Sequence, residues 1–508
     1  MNIAAGDKPL NRGMITLTVM LTSVLQTLDG TIANVALPKM QGALSATQDQ
    51  MTWVLTSYIV AAAIMTPLTG WLAGQFGRKQ LFIVSIVGFT ISSALCGLAQ
   101  TLPQIVLFRL LQGLSGAALV PMSQAVLFDI NPPENHGKAM ALWGQGVLLG
   151  PMIGPILGGW LTDNYSWRWV FYINVPLGIM ALMGILAYLP KGEPRRSRFD
   201  LFGFALLSLA IGAFQIMLDR GSLNDWFSST EIWIEATLAG LAFYLFLVHS
   251  VTSRNPFIHL SMFRDPNFVA GNVFIFVVGI VLFATLALVP PMLQTLMGFP
   301  VLDAGLLIAP RSIGSLVAML VLGRIVNRTD PRVVIGGGFL LTALSVWQMT
   351  HFNLAMDGRL LVISAVLQGM GTGAAYVSMA SLTFATLPPN LRNEGTAMFS
   401  LMRNIGSSIG ISIVQSLLTS NTQVVHSTLT EHITPYNLVA RDPQMAMQLS
   451  THAGTAALDS AITLQAAMVA YLDDFQLMFI VMLLTLPLLL IVRIKKTKGE
   501  DAPHVAIE

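Results

Sequence analysis

Apolar runs of roughly 20 residues recur along the chain, each closed at both ends by charged or turn-forming residues. They fall at 14–35, 53–74, 80–98, 104–126, 139–161, 168–189, 200–218, 231–250, 268–290, 302–323, 332–350, 359–383, 396–418 and 474–493. A helix of that length rises about 30 Å, the thickness of a bilayer's hydrocarbon core. The pattern predicts an all-α integral membrane protein with 14 transmembrane helices. The first run follows Lys8 and Arg12 and is too long for a signal-peptide core, so it reads as a retained span. The longest stretch between runs, 419–473, is polar and carries Pro435 and Pro443. It is expected to be an outer loop, with a helix-compatible, weakly amphipathic part from Gln444 to Tyr471.

Composition agrees. Across 508 residues, 54% are hydrophobic and 10% charged, whereas soluble domains are about a quarter charged. A net charge of +2 offers no footing for nucleic acid. The single cysteine, Cys96, excludes an intrachain disulfide and reads as a small packing residue. The basic residues are unevenly placed. Of 27 Lys and Arg, 19 fall on the side of the N-terminus, 5 on the opposite side, and 3 (Arg109, Arg311 and Arg403) inside runs. By the positive-inside rule both terminal segments, 1–13 and 494–508, are expected in the cytoplasm.

The chain also repeats itself. GWLAGQFGRK at 70–79 resembles GRIVNRTDPR at 323–332, and LQG at 111–113 recurs at 367–369. A Pro-Pro pair at 132–133 followed by N-x-G-x-A-M at 135–140 recurs at 388–389 and 393–398. The offsets of 253, 256, 256 and 258 are nearly constant, which chance similarity among apolar segments does not produce. Two homologous six-helix bundles are expected, at 14–189 and at 268–493, the second including the outer loop 419–473. Two extra helices with their flanking loops occupy 190–267 between them. Repeated halves of this kind are a transporter architecture.

The fifth run is unusual. Gly146, Gly150, Gly154 and Gly158 stand four apart, with Pro151, Pro155 and Gly159 threaded between them. Residues at i and i+4 share a helix face, so a bare stripe lets a second backbone come close. The prolines remove backbone donors and favour bends.

Candidate chemistry is sparse. Asp29 is the one carboxylate placed well inside a run, and an acid there costs several kcal/mol unless it works or is paired. It either carries a proton or holds its helix by pairing with a base. Arg109 is the natural partner, with Gln112, Gly113 and Gly116 on its helix face; it tunes the acid, contacts substrate or ties helices together. Asn34, Gln112, Arg311 and Arg403 are the candidate polar positions of a cavity. Trp53, Trp143, Gln145, Gln368 and Tyr376 either line it or pack. Gly70, Gly77 and Arg78 form a short basic loop, which suffices as a topology signal. No phosphate-binding G-x-x-x-x-G-K-[ST] loop, H-E-x-x-H motif or Cys/His cluster occurs, so neither enzymatic chemistry nor a metal or cofactor is expected, and an ion gradient is the simplest energy source.

These stretches resemble the major facilitator superfamily over nearly the whole chain. GWLAGQFGRK is similar to its loop signature, RLLQGLSGAA to its span-four signature, and GQGVLLGPMIGPILGG to the span-five signature of antiporting exporters. LDGTIANVALP and WRWVFYINVPLG resemble the fourteen-span drug:proton antiporter subfamily; QIMLDRG, DWFSS and the long outer segment resemble its EmrB type. The loop signature normally carries Asp where this chain has Gly74, beside Gln75, and Asn327 beside Arg328 is the second-half counterpart. A latch built on that Asp is therefore in doubt.

The resemblance implies a major facilitator fold and a proton-driven multidrug efflux antiporter in the cell inner membrane. It would export amphipathic or lipophilic compounds by alternating access. A periplasmic adaptor and an outer-membrane channel would be its partners, and the proton gradient its energy source. The alternatives are an exporter or symporter of one solute, or a non-transporting receptor or scaffold.

Overall fold

The computed structural model describes residues 11–132, 135–190, 199–254, 256–325, 329–388, 391–432, 451–490 and 492. The terminal segments short of 11 and past 492, Asn327 with Arg328, and the side chain of Gln145 lie outside the described residues.

Among the described residues, fourteen helices are long and apolar enough to cross a membrane. In chain order α1 is Arg12–Leu37, α2 Trp53–Phe76, α3 Arg78–Leu98, α4 Leu102–Ile130, α5 Lys138–Asn164, α6 Trp169–Tyr188 and α7 Leu201–Gly221. Then come α8 Thr230–Thr252, α9 Pro266–Leu296, α10 Asp303–Leu322, α11 Pro331–Met349, α12 Gly358–Ala385, α13 Arg392–Glu431 and α14 His452–Leu490. Short polar residues start many of them. Thr47 closes a capping box ahead of α2, and Asp265, Asp330 and Asp357 accept the free amides at the starts of α9, α11 and α12. Between α2 and α3 the chain turns at Gly77 with φ 84°, a conformation that glycine adopts without steric cost.

Helix pairing repeats between α1–α6 and α9–α14. In the first set α1 packs on α5 and α4, α2 on α4, and α3 on α4 and α6; in the second α9 packs on α13 and α12, α10 on α12, and α11 on α12 and α14. The two sets are six-helix bundles of one design. Helices α7 and α8 form the extra pair. Gly212 of α7 lies over Ile64 of α2, while Ser412 of α13 donates to the Leu218 carbonyl at 2.7 Å. Trp226, just past α7, donates to Ser416 at 2.6 Å. Helix α8 exposes Trp233, Ile234, Leu241, Tyr244 and Val251, the lipid-facing wall expected of a peripheral span.

Two expectations need correction. The segment 419–473 is not simply a loop. Helix α13 continues without a break to Glu431, and α14 begins at His452, some 20 residues before its apolar run. Hydropathy marks where the bilayer ends, but nothing before Pro435 ends the helix. The 13 residues from 419 to 431 carry α13 about 20 Å beyond its apolar part, and His426 meets Asp459 at 3.1 Å across the two extensions. Nor is Asp29 alone as an acid within a span. Asp474 lies 22 residues into the continuous α14, fully buried, and neither carboxylate oxygen has a hydrogen-bond partner among the described residues.

Candidate functional site

The acid of α1 sits where five helices converge. Asp29 is fully buried, and Arg109 of α4 is 1% exposed. Arg109 Nη1 donates to Asp29 Oδ2 at 2.7 Å and to Gln112 Oε1 at 2.9 Å, and Nε donates to the Val54 carbonyl of α2 at 3.2 Å. Asp29 Oδ1 accepts from Gln112 Nε2 at 2.9 Å and from Asn174 Nδ2 of α6 at 2.7 Å. Asn174 also donates to Ser93 of α3, which donates in turn to the Phe171 carbonyl. The guanidinium stacks 4.2 Å above the Tyr58 ring. Charge-assisted bonds of this density offset much of the cost of burying two ions. Three donors fill three of the carboxylate's roughly four lone-pair positions, so protonation removes the negative charge that these charge-assisted bonds depend on.

Close backbones frame this network. Gly113 of α4 presses on the Tyr58 carbonyl, leaving no room for a Cβ. Along α5, Gly146 faces Met20, Gly150 faces Thr27 and Leu28, Gly154 faces Thr31, and Gly158 faces Ile32, all on α1. A Cβ on Gly150 would lie 2.6 Å from the Leu28 backbone nitrogen. The stripe is thus an α1–α5 interface. Pro151, Pro155 and Gly159 share that helix and are half-buried.

The end of the molecule that carries most of the basic residues, the basic face, is held across the two bundles. Arg78 pairs with Asp129 at the end of α4, and its Nε and Nη2 donate to Asn393 Oδ1 at 3.0 and 2.6 Å. Arg392 reaches Asp129 at 3.5 Å. A Cβ on Gly70 would lie 3.0 Å from Glu394 Cα, so α2 and α13 nearly touch there. His259, just ahead of α9, meets Glu394 at 2.9 Å. The hydrogen bond to the Glu394 carboxylate raises the His259 pKa against the opposing effect of burial. A charged contact between the halves therefore exists with Gly74 in place of the usual Asp, because Asp129 supplies the acid. Deeper in, Gln124 donates to Tyr376 Oη at 2.9 Å and Trp143 stacks on the Tyr376 ring.

The other candidates lie apart from Asp29. Asn34 is exposed, on another face of α1. Arg403 of α13 lies near Tyr376, and its Nη2 reaches Asn404 Oδ1 at 3.5 Å. Arg311 lies in the second bundle beside a cleft shared with Thr285 and Gln368. Gln368 and Trp143 are buried and Trp53 is exposed. Sequence reasoning missed Asn174, Ser93, Tyr58 and the Val54 carbonyl. Only Asn174, a lone amide in the apolar stretch YINVPLG, left a signal that could have been found.

The second bundle carries a variant of the same network. At the offset of 256 residues, Thr285 stands for Asp29, Ala365 for Arg109, Gln368 for Gln112 and Gly369 for Gly113. Gln368 Nε2 donates to Thr285 Oγ1 at 3.0 Å, as Gln112 does to Asp29. Gly369 presses on the Arg311 carbonyl as Gly113 presses on that of Tyr58.

Repeated six-helix bundles facing one another, with buried polar groups at matching places, define a membrane transporter and not an enzyme. The chain belongs to the Major Facilitator Superfamily, whose model matches residues 19–411. It is 37% identical over 437 residues to the multidrug export protein EmrB of Escherichia coli K12, covering 85% of each chain. It is 34% identical over 446 residues to the protein of that name in Haemophilus influenzae, covering 87% of this chain and 88% of the other. The fold matches that of the proton:xylose symporter XylE with a TM-score of 0.60 at 14% identity, covering 92% of this chain and 94% of the other.

Proposed function

We propose that this transporter exports amphipathic or lipophilic toxic compounds and exchanges them for protons. The names of its relatives support multidrug export, and the observation that carries proton coupling is the buried Asp29, reached by Arg109, Gln112 and Asn174. The basic face lies in the cytoplasm of a bacterial cell, in its inner membrane. In one orientation Asp29 takes a proton from outside and lets go of a donor; in the other it releases the proton inward and the network re-forms. A proton moving inward through 100 mV supplies about 2.3 kcal/mol, and no cofactor is needed. The extensions of α13 and α14 stand on the opposite face, where a periplasmic adaptor leading to an outer-membrane channel would dock.

The test is export driven by an imposed pH gradient in proteoliposomes. Asp29→Asn keeps the shape but not the proton site and is expected to abolish gradient-driven export, while Asp29→Glu retains part of it. Normal gradient-driven export by a well-folded Asp29→Asn protein would refute proton carriage at Asp29.

A further inference from the structure

Asp474 is the counterpart, on α14, of Asn174 on α6. At an offset of 300 residues (474 less 174), the buried Phe171, Asn174, Gly178 and Ile185 match the buried Tyr471, Asp474, Met478 and Thr485. The offset exceeds the 256 of the LQG repeat because the extensions of α13 and α14 lie between. In the first bundle Asn174 reaches Asp29 at 2.7 Å. In the second, Thr285 stands for Asp29 and meets Met478 Sδ, one turn from Asp474, at 3.9 Å. Between the halves the acid has thus moved from the first helix to the sixth, and the cation from Arg109 on the fourth to Arg311 on the second. They have not stayed together. Among the described residues no ion pair joins Asp474 to Arg311, and neither Asp474 oxygen has a hydrogen-bond partner.

Helices α9, α11 and α13 pack on α14. None brings Asp474 a charge. Helix α9 carries no titratable side chain, and α11 carries only Arg332, bonded at the basic face to the Val492 carbonyl. On α13, Arg392 and Glu394 pair with Asp129 and His259 at the basic face, Arg403 lies near Tyr376, and His426 and Glu431 stand on the extension. On α14 itself the neighbours are Tyr471 and the exposed Asp473, whose charge would oppose a second one. A carboxylate shut off from water and from cations is too costly to persist, so Asp474 is a neutral acid with its proton in place. Asp29, with three donors around it, is the ion.

We propose that Asp474 is a second proton site, filled before Asp29. It takes its proton from the face of the extensions and gives it up when the basic face opens, so two protons enter in each cycle. Only the O–H bond of the carboxyl forms and breaks, and the proton leaves to water. The inference rests on the proton-exchange reading for its place in the cycle. Its test is occupancy at equilibrium, without gradient or substrate, so it can fail while carriage at Asp29 stands.

Infrared difference spectra of the full chain in phosphatidylcholine nanodiscs read the carbonyl stretch of a protonated carboxyl. At neutral pH the wild-type protein is expected to show such a band, which Asp474→Asn removes and Asp29→Asn keeps. Should Asp474→Asn fail to fold, Asp474→Glu is expected to shift the band in place of removing it. Release is read with the basic face locked or loosened. A Cβ on Gly70 lies 3.0 Å from Glu394 Cα, so Gly70→Cys with Glu394→Cys is placed to form a disulfide across that face. Adding Asp129→Asn to that pair takes the acid from Arg78 and Arg392. Oxidised, this protein is expected to keep the full band; reduced, it is expected to lose about half of it or more as the open state fills. No band in the wild-type protein, a band that Asp474→Asn leaves, or equal bands in the oxidised and reduced forms overturns the proposal.

Discussion

Gly150→Ala tests whether the α1–α5 contact is as tight as it is drawn. The added Cβ would lie 2.6 Å from the Leu28 nitrogen and 2.8 Å from the Thr27 carbonyl carbon. Ordinary contact begins near 3.4 Å, so the helices must part by about 0.8 Å (3.4 less 2.6), because neither neighbour is a side chain that can rotate away. Gaps of that size forfeit a quarter to a half of the dispersion attraction along the seam. Overpacking costs about 1–3 kcal/mol, and the gain of up to ~1 kcal/mol in helix propensity offsets part of it. Gly240 of α8, with nothing within 4 Å of a Cβ, is the control, and Gly240→Ala should realise the propensity gain alone. The assay pairs the thermal midpoint of the solubilised protein with its initial export rate. Gly150→Ala is expected to lower both, and Gly240→Ala to hold or raise the midpoint at full rate. Identical behaviour of the two variants would show that α1 and α5 do not meet backbone to backbone.

Other outcomes follow from the same geometry. Asn174→Leu removes a 2.7 Å donor from Asp29 and is expected to slow export severalfold and displace its pH profile, while Asn34→Ala, at an exposed site, leaves both unchanged; an unshifted Asn174→Leu profile would detach α6 from the proton site. The His259–Glu394 pair is complete when the imidazole is protonated. With its pKa raised in the fold, its stabilisation is fully present below the ordinary histidine value near 6.5 and is lost as pH rises through the raised one. The thermal midpoint should therefore fall on going from pH 6 to pH 8.5, by a small margin because His259 is half-exposed, and His259→Gln should reduce that fall. Asp474→Asn removes a buried carboxyl that has no partner and is expected to fold at least as stably as the wild type, by about 1 kcal/mol or more; marked destabilisation in a thermal melt would reveal a partner that the geometry lacks.

Much of the architecture could be read in the chain because a bilayer imposes a single strong rule, and the apolar runs obey it. The meeting of Asp29 with Arg109 was legible for the same reason, since two opposite charges in apolar helices must find each other. Ser93 and the Val54 carbonyl were not, as a neutral hydroxyl and a backbone oxygen carry no charge signal, and Asn174 showed only as a lone amide in an apolar stretch. Asp474 escaped notice because hydropathy set the edge of the last span at that residue, beside Asp473, although the helix begins 22 residues earlier. The internal repeat was visible as LQG, but its meaning was not. Only the packing of Gly113 on Tyr58 and of Gly369 on Arg311 shows that the cation has changed helices between the halves.

Helix α1 has charge on one side and bare backbone on the other. Thr27 and Thr31 touch the α5 glycines, and Asp29, two residues from each, points the opposite way. Neither side has slack, since Leu28, Asp29 and Ile32 are all buried. A turn of α1 that loosens Arg109 from Asp29 must also drag Thr27 and Thr31 across Gly150 and Gly154, each followed directly by a proline, Pro151 and Pro155. The helix acts as an axle, with the proton's seat on one flank and the teeth that engage α5 on the other.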